Sequence, residues 1–416
     1  MILRKILMTD VRCYAILSLM RGVVDQRLFA GLFGVMLMMG IALTLFGATL
    51  PLLIRTFGWS YLESGVVMGA GSVSFFIATF FAGRLASTVG LSRLFRGGFV
   101  LAAGGLLLFA RWPSMWVNVL VNVLMSLGFG AVEIGANLTM LRIERDGSGR
   151  AMNVLHAAFA IGAILGPVST GALLQTGIPW NLVYRGMAVL FLVLWLVMER
   201  LNPSRFDIPR ADHATHPRGA LLREPVYWLG FLTLCLYVGA ELGVSNWVAE
   251  YGVQVFRIPE RYAVFLVSTF WVGLLAGRFL APLVLTPARQ RGVLLGSAVL
   301  FAAAVALTAA LGILLPSPLL LVFLVLASGL GAAVIFPTTV SLVGTALARW
   351  QGDAVGFATT GGGVGSFVFP FVMSAISEAW GIRIGFAFYS LSAFLLLGAL
   401  GLLIAAAAHR TGRGAA

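Results

Sequence analysis

The sequence predicts an all-α, polytopic membrane protein with twelve transmembrane helices in two pseudo-symmetric six-helix bundles. Three observations predict this fold class: the composition, the spacing of the apolar runs and an internal repeat. Of the 416 residues, 60% are apolar and 10% are charged, and the mean hydropathy is +0.99. Soluble domains carry about 25% charged residues, and soluble cores stop growing near about 250–300 residues. The composition therefore excludes a soluble enzyme, a disordered chain and a disulfide scaffold.

Twelve apolar runs are long enough to cross a membrane. A helix needs about 20 apolar residues to span a hydrocarbon core of roughly 30 Å. The predicted spans are 28–54, 61–83, 94–112, 116–141, 151–175, 181–199, 225–249, 262–284, 290–314, 318–348, 354–377 and 383–408. Each run is expected to form one helix that a short polar loop joins to the next.

The 28 Lys and Arg residues predict the orientation. With a cytoplasmic N-terminus, 22 of them lie in cytoplasmic segments and 6 on the other side. Cytoplasmic loops of membrane proteins carry this excess. We therefore expect a multi-pass protein of the cell (inner, cytoplasmic) membrane with both termini in the cytoplasm. Because the cations lie between spans and form no face or tail, we expect no nucleic-acid partner.

The longest gap between spans divides the chain into two halves. The predicted order is an N-terminal cytoplasmic interfacial segment at 1–27, a six-helix bundle at 28–199, a cytoplasmic linker at 200–224, a second bundle at 225–408 and a tail at 409–416. The halves share motifs in the same order. AGR at 82–84 recurs at 276–278, GFGA at 128–131 corresponds to GLGA at 329–332, and Pro167 corresponds to Pro370. Repeated halves of this kind enclose a solute site near the bilayer midplane in many transporters.

Two carboxylates, Glu133 and Glu241, lie deep in predicted spans. An ionisable group inside the membrane is costly and marks a functional site by default. Glu133 lies on a polar face of the fourth span, whose other members are Asn122, Ser126 and Asn137. Steps of four and seven residues return to one side of a helix, so this face is expected to look into protein or water. The alternative is that the Asn and Ser side chains join neighbouring helices.

His156 is expected to form a hydrogen bond with Asn137. Each lies about five residues from the cytoplasmic end of its span, and the two spans are antiparallel neighbours. A hydrogen bond at that depth satisfies both polar groups. A role of His156 in a proton relay is the alternative.

The seventh span predicts one wall of a solute site. Tyr237 lies four residues before Glu241, and Asn246 and Trp247 follow. An aromatic plane beside amide and carboxylate groups suits a polyhydroxylated solute, whose CH face stacks while its hydroxyl groups form hydrogen bonds. No Lys or Arg is predicted in the middle of a span, so the solute is expected to be neutral or cationic.

The tenth and eleventh spans contain helix-breaking residues. Pro337, Pro370 and the run 361–363 of three Gly residues are predicted to let helices bend or approach closely. Thr338, beside Pro337, is a further candidate for the cavity lining. The sequence has no cluster of His, Cys and acids at ligand spacing, so neither a metal nor a cofactor is expected.

Five motifs carry a resemblance to a known family. They are FAGRLASTVGLSR at 81–93, GAVEIGAN at 130–137, NVLHAAFAIGAILGP at 153–167, YVGAELGVSNW at 237–247 and GLGAAVIFPT at 329–338. The chain resembles the major facilitator superfamily over essentially its whole length, and within it the fucose permease-like branch of sugar transporters. The resemblance implies a secondary transporter, often a proton symporter, of sugars or polyols. Glu133 matches the branch's membrane carboxylate, which is implicated in sugar binding and proton coupling.

The resemblance also implies a gating loop between the second and third spans. Its residues are Gly83, Arg84, Gly90 and Arg93, with Gly277 and Arg278 as the counterparts in the second half. This sequence departs from the family pattern twice. Residues 28–54 contain no acid where the fucose permease pattern has an Asp, and Ser87 stands where the loop signature has an acid. Proton symport and uniport therefore both stay open.

Together these features predict a secondary active transporter that moves a small neutral polar solute, such as a sugar or polyol, by alternating access. An exporter of amphiphilic or cationic compounds is the alternative, favoured by the two buried carboxylates and the 30 Phe residues. A membrane enzyme or structural subunit is a third hypothesis, but the sequence offers no nucleophile–base pair for it. The expected partners are the solute, the lipid bilayer and, in a symporter, protons.

Overall fold

The computed structural model describes residues 25–143, 150–201, 221–284, 289–314 and 317–413. Secondary structure in these ranges is helical throughout. The long helices are α1 Gln26–Phe57, α2 Tyr61–Val89, α3 Leu91–Leu108, α4 Met115–Ile143, α5 Arg150–Gln175, α6 Trp180–Leu201, α7 Pro225–Phe256, α8 Glu260–Val284, α9 Gln290–Leu314, α10 Pro318–Ala332, α11 Ile335–Ala346, α12 Gln351–Trp380 and α13 Ile382–Arg413. Twelve stretches of the described chain are long and apolar enough to cross a membrane, which confirms the predicted spans.

Parts of the predicted domain organisation lie outside the described residues. They are nearly all of the N-terminal segment 1–27, most of the linker 200–224 and the last three residues of the tail. The two faces of the bundle are named by the helices they hold. The terminal face is where α1 begins and α13 ends, and it corresponds to the side predicted to be cytoplasmic. The distal face, on the opposite side, holds the turn between α1 and α2.

Local capping fixes the bounds of α1. The side chain of Asp25 accepts hydrogen bonds from the backbone N–H groups of Arg27 and Leu28, at 3.1 and 3.2 Å. An acidic N-cap of this kind satisfies N–H groups that lack a partner within the helix. At the other end Gly58 has φ +67°, and its N–H bonds to the carbonyl group of Ile54 at 2.9 Å. Glycine adopts this left-handed conformation without steric cost, so the helix stops there.

The tenth span is divided, which corrects the single helix predicted over 318–348. Ala333 and Val334 separate α10 from α11. A proline ring clashes with the carbonyl group four residues earlier, and for Pro337 that group belongs to Ala333. The break therefore lies where Pro337 prevents a regular helix. By contrast, Pro370 lies inside the unbroken α12.

Each half of the molecule has its own hydrophobic core. One core joins α1 to α6, where Phe99 contacts both Phe95 and Phe191 at ring distances of 6.0 Å. The other joins α7 to α13, where Tyr251 stacks on Phe386 at 4.1 Å. It also includes Ala48 of α1, Met68 of α2 and Ala163 of α5, so this core continues across the boundary between the two halves.

In each bundle a glycine of the fourth span lies where that span crosses the second helix of its half. A β-carbon at Gly130 of α4 would come 2.8 Å from the carbonyl oxygen of Phe75 in α2. A β-carbon at Gly329 of α10 would come 2.0 Å from the carbonyl oxygen of Phe270 in α8. Since α2 and α8 are the second helices of their halves, the same crossing recurs. In the motif alignment, however, Gly130 corresponds to Gly331, which packs on α9, so the crossing recurs at a shifted position of the repeat.

The two bundles meet through polar contacts at the distal face. The three contacts are an ion pair of Arg55 with Glu260 at 3.2 Å, a hydrogen bond from the hydroxyl of Tyr61 to Glu250 at 3.3 Å, and one from the N–H of Leu62 to Glu378 at 3.3 Å. Below them α1 approaches α7 closely, because a β-carbon at Gly47 would come 2.8 Å from the Cα of Asn246. The halves are therefore in direct contact on this side.

Candidate functional site

The described helices bring a polar cluster together where α5, α7 and α8 meet the break between α10 and α11. Helix α7 contributes Tyr237, Glu241 and Ser245, which follow one another at intervals of four residues and so share a face. All three are buried, and Glu241 is only 8% exposed. A carboxylate at that depth needs partners, and the surrounding helices supply candidates.

Tyr237 connects this cluster to the helix break. Its hydroxyl donates to the carbonyl oxygen of Ala332 at 2.8 Å. In a regular helix that oxygen would accept a hydrogen bond from the backbone N–H of Phe336, four residues later. The break takes that partner away, and Tyr237 supplies the missing donor. The sequence predicted Tyr237 as a solute-contacting residue, whereas in the structure its hydroxyl serves the protein backbone.

Ser245 anchors the opposite end of the cluster. It accepts a hydrogen bond from the indole Nε1 of Trp271 in α8, at 2.9 Å. The ring of Trp271 in turn meets the ring of Phe159 edge-on, at 6.0 Å and 68°. Because Phe159 belongs to α5, this aromatic pair lies between the N-terminal and C-terminal bundles. Nearby, the hydroxyl of Ser268 donates across the same boundary to the carbonyl oxygen of Ile164, at 2.8 Å.

Arg278 of α8 brings a positive charge to the cluster. It interacts electrostatically with Glu241, Tyr237 and His156. Arg278 and Glu241, both within the described part of the chain, nevertheless form no ion pair. The prediction of a cavity without a cation is therefore wrong.

His156 faces Arg278, not Asn137. The predicted hydrogen bond between His156 and Asn137 is wrong: His156 is exposed at the surface of α5 and has Arg278 as its electrostatic neighbour. The Oδ1 atom of Asn137 is buried and has no hydrogen-bond partner among the described residues. The two helices are antiparallel as expected, but the side chains point to different neighbours.

The polar face of α4 divides into two parts. In the part nearer the distal face, the amide Nδ2 of Asn122 donates to the carbonyl oxygen of Val67 in α2 at 2.7 Å, and Ser126 lies 3.5 Å from Asn122. Both residues are buried against Gly71, whose missing side chain makes room for them. These contacts match the alternative in which Asn122 and Ser126 join helices.

Glu133 lies in the other part of the α4 face, nearer the terminal face. It is half-buried, and none of the described residues forms a hydrogen bond or an ion pair with it. With Asn137 one turn further along α4, it gives the N-terminal bundle two polar groups whose hydrogen-bonding capacity is not used by the fold.

Three other predicted solute-site residues lie in packed surroundings. Trp247 is fully buried and meets the ring of Tyr61 edge-on at 5.9 Å, between the two bundles. Asn246 packs on Gly47 of α1. Thr338 is buried in α11, where its backbone N–H bonds to the carbonyl oxygen of Val334. These residues support the contact between helices in this arrangement of the bundles.

The predicted gating residues are only partly described. Gly83 and Arg84 lie in α2, and their side chains are outside the described part of the chain. Gly90 has φ +88° and directly precedes α3, and Arg93 is exposed on the first turn of that helix. Gly277 packs against α10, where a β-carbon would come 2.8 Å from the carbonyl oxygen of Leu330.

Sequence reasoning missed Trp271 and Phe159. Trp271 lies seven residues before Arg278, and Phe159 lies three residues after His156. Each spacing puts the pair on one helical face. This periodicity is the sequence signal for both residues, but an uncharged aromatic residue does not stand out in an apolar span.

Comparison with known proteins places the chain in a large group of membrane proteins. The sequence profile of the Major Facilitator Superfamily matches residues 32–304. Bypass of stop codon protein 6 of Saccharomyces cerevisiae is 25% identical over 264 residues, which cover 56% of this chain and 52% of that protein. Sodium-dependent glucose transporter 1 of Xenopus laevis is 27% identical over 185 residues, covering 38% and 37%. The matched region spans about half or less of these relatives' length.

A solved structure has the same fold. A mutant of the nucleoside transporter NupG matches with a TM-score of 0.76 and 16% sequence identity, covering 90% of this chain and 99% of that one. At this identity the likeness concerns the fold alone.

Proposed function

Because the chain belongs to the Major Facilitator Superfamily, we propose that it is a secondary transporter that carries a small neutral polar solute, a sugar or polyol, by alternating access between its two bundles. One observation supports this solute class above the others. Glu241 and Arg278 interact across the cluster without forming an ion pair. A solute with several hydroxyl groups donates to the carboxylate and accepts from the guanidinium, and since the two charges balance, it needs no charge of its own.

Glu133 is the group we propose for ion coupling. It is half-buried, lies in the membrane and has no described partner that would hold it in one charge state. The resemblance of GAVEIGAN to the fucose permease-like branch agrees with this role. The likeness to a protein named for sodium-dependent glucose transport makes sodium the second coupling ion to test. In this proposal the terminal face is cytoplasmic, in agreement with the excess of Lys and Arg.

The solute class is tested by thermal stabilisation of the purified protein. A ligand that binds the folded state raises its melting temperature. The panel contains neutral sugars, polyols, nucleosides and cationic amphiphiles, each at two pH values. Stabilisation by a sugar or polyol, followed by counterflow of the same compound in proteoliposomes, is the expected result. Stabilisation by cationic amphiphiles alone would contradict the proposal and favour the exporter.

Coupling is tested with Glu133→Gln. We expect the variant to lose accumulation of solute driven by an imposed ion gradient while it keeps counterflow, because the amide retains hydrogen bonding but binds neither a proton nor sodium. Glu199→Gln, which neutralises a carboxylate paired with Arg96 at the terminal face, is the matched control. Unchanged gradient-driven accumulation in Glu133→Gln would refute the coupling role, as would wild-type uptake that ignores both gradients.

A further inference from the structure

A third carboxylate, Glu250, lies at the contact between the two bundles. It belongs to α7, six residues before the helix ends, or about 9 Å below the distal end. Its residue exposure is 1%, which is lower than that of Glu241. So close to a helix end, a carboxylate is ordinarily expected to be solvated. The structure shows instead a carboxylate shielded from water by the opposing bundle.

The partners of Glu250 do not suffice for a charged carboxylate. Its Oε1 atom accepts one hydrogen bond from the hydroxyl of Tyr61 in α2, at 3.3 Å. Its Oε2 atom is buried and has no hydrogen-bond partner in the described chain. A buried carboxylate is stable only when paired with a cation or supplied with several donors.

The charged groups around this contact add repulsion. Glu260 of α8 acts electrostatically on Glu250, and Glu378 of α12 acts on Tyr61. Both are acids. Three cations, Arg55, Arg257 and Arg261, lie around Glu260 at this face. Arg55 is paired with Glu260 at 3.2 Å, and none of the three forms an ion pair with Glu250 in the described chain. On α7 itself Gln254, one turn further on, is uncharged, and its side chain offers Glu250 a neutral hydrogen-bond partner but no positive charge. The contact therefore tolerates a neutral Glu250 much better than a charged one.

We propose that Glu250 is a proton-controlled latch of the distal face: with a proton bound it holds the bundles together, and on losing that proton to the distal solution it drives them apart. Separation of the bundles would expose the carboxylate to water, which solvates the charge, whereas contact removes that water. Proton binding and closure of the distal face thus favour each other. This inference rests on the proposed alternating access and concerns the gate, whereas the solute and ion sites are elsewhere.

The latch is tested by measuring the width of the distal face against pH. In a background with Cys13→Ser and Cys235→Ser, spin labels are attached at Ser114→Cys and Ala379→Cys, exposed positions on the two bundles at the distal face. Distances are recorded by pulsed electron paramagnetic resonance between pH 5 and pH 9. We expect short distances at low pH and a growing population of long distances as the pH rises.

Three variants separate the latch from a general effect of pH. In Glu250→Gln the amide stands in for the protonated acid, so distances should stay short at every pH. Tyr61→Phe keeps the ring contact with Trp247 but removes the hydrogen bond between the two bundles. Loss of a bond worth about 1 kcal/mol in the closed state should lower the pH midpoint of opening by roughly half to one unit. Glu260→Gln is the matched control, and its distances should still depend on pH.

Two results would overturn the latch: wild-type distances that do not change with pH, or a Glu250→Gln protein that opens as the wild type does. If Glu250→Gln does not fold, Tyr61→Phe decides, because an unchanged midpoint there also overturns it. Failure of the proposed function is seen separately. A protein that gives no counterflow with any sugar or polyol refutes the solute class, while counterflow with a pH-insensitive distal face refutes the latch alone.

Discussion

The polar faces of α4 and α7 differ in how their groups are satisfied. On α7, Tyr237 has the carbonyl oxygen of Ala332, and Ser245 has the indole of Trp271. On α4, the carboxylate of Glu133 and the Oδ1 atom of Asn137 have no described partner. The two bundles thus contribute different kinds of polar group to the space between them. The C-terminal bundle presents a pre-arranged cluster, and the N-terminal bundle presents groups that are free to bind.

This difference separates two functions that a transporter has to combine. A solute binds most tightly to groups that are already held in place, because little entropy is lost on binding. A coupling ion has to bind and leave during each cycle, which suits a group with no fixed partner. The contrast agrees with the proposed division, in which α7 and α8 recognise the solute and α4 exchanges the ion, and the following changes would break or sharpen it.

The largest effect is expected from Arg278→Gln. Loss of a charge-assisted hydrogen bond of about 1.5–3 kcal/mol should weaken binding of the stabilising sugar or polyol roughly 10- to 100-fold. Arg291→Gln, an exposed position at the start of α9, is the control and should bind as the wild type does. Binding is measured by calorimetry on the purified protein. Equal affinity in both variants would show that Arg278 is not part of the solute site.

A smaller effect, on stability, is expected from Tyr237→Phe. The variant leaves the carbonyl oxygen of Ala332 buried without a donor, which costs about 1–3 kcal/mol. Tyr389→Phe is a close control, because Tyr389 is equally buried and its hydroxyl has no hydrogen-bond partner in the described chain. The melting temperature should fall in the first variant and stay unchanged or rise in the second. The reverse order would contradict the role of Tyr237 at the helix break.

The smallest effect is expected from Asn122→Ala. Hydrogen bonds between membrane helices contribute about 0.6 kcal/mol on average, so loss of the bond to Val67 should lower the melting temperature slightly. Asn137→Ala removes a group whose Oδ1 has no described partner and should not lower it, but it should reduce transport if the free part of the α4 face binds solute or ion. If both variants lost stability equally, the division of this face would be refuted.

The spans and the two bundles could be predicted because they depend on summed hydrophobicity, which tolerates local error. Glu133 and Glu241 could be singled out for the same reason, since a carboxylate stands out in an apolar run. The interaction of Arg278 with Glu241 could not be predicted, because it depends on how α7 and α8 pack against each other, which neither helix's sequence determines alone. The partner of His156 depends on how α4 and α5 are rotated about their own axes. Their antiparallel order alone does not determine that rotation.

The helix break illustrates a further limit. Pro337 was recognised in the sequence as a possible site of bending, as was Pro370. Only the first divides its helix in the described chain, although the backbone rule is the same for both. Next to the break caused by Pro337, the carbonyl oxygen of Ala332 accepts a hydrogen bond from the hydroxyl of Tyr237 in another helix. Such compensation arises between elements distant in sequence, so local chemistry does not reveal it.

The division at Ala333 and Val334 also bears on how the molecule moves. Bending an intact helix breaks backbone hydrogen bonds, but between α10 and α11 the ladder is already interrupted. In the proposed transport cycle, tilting of α11 against α10 would therefore cost few further hydrogen bonds, and Tyr237, which binds the last carbonyl oxygen before the interruption, would be the fixed point of that tilt. Closing the terminal face would then require only a short displacement of α11, in addition to rocking of the whole bundles.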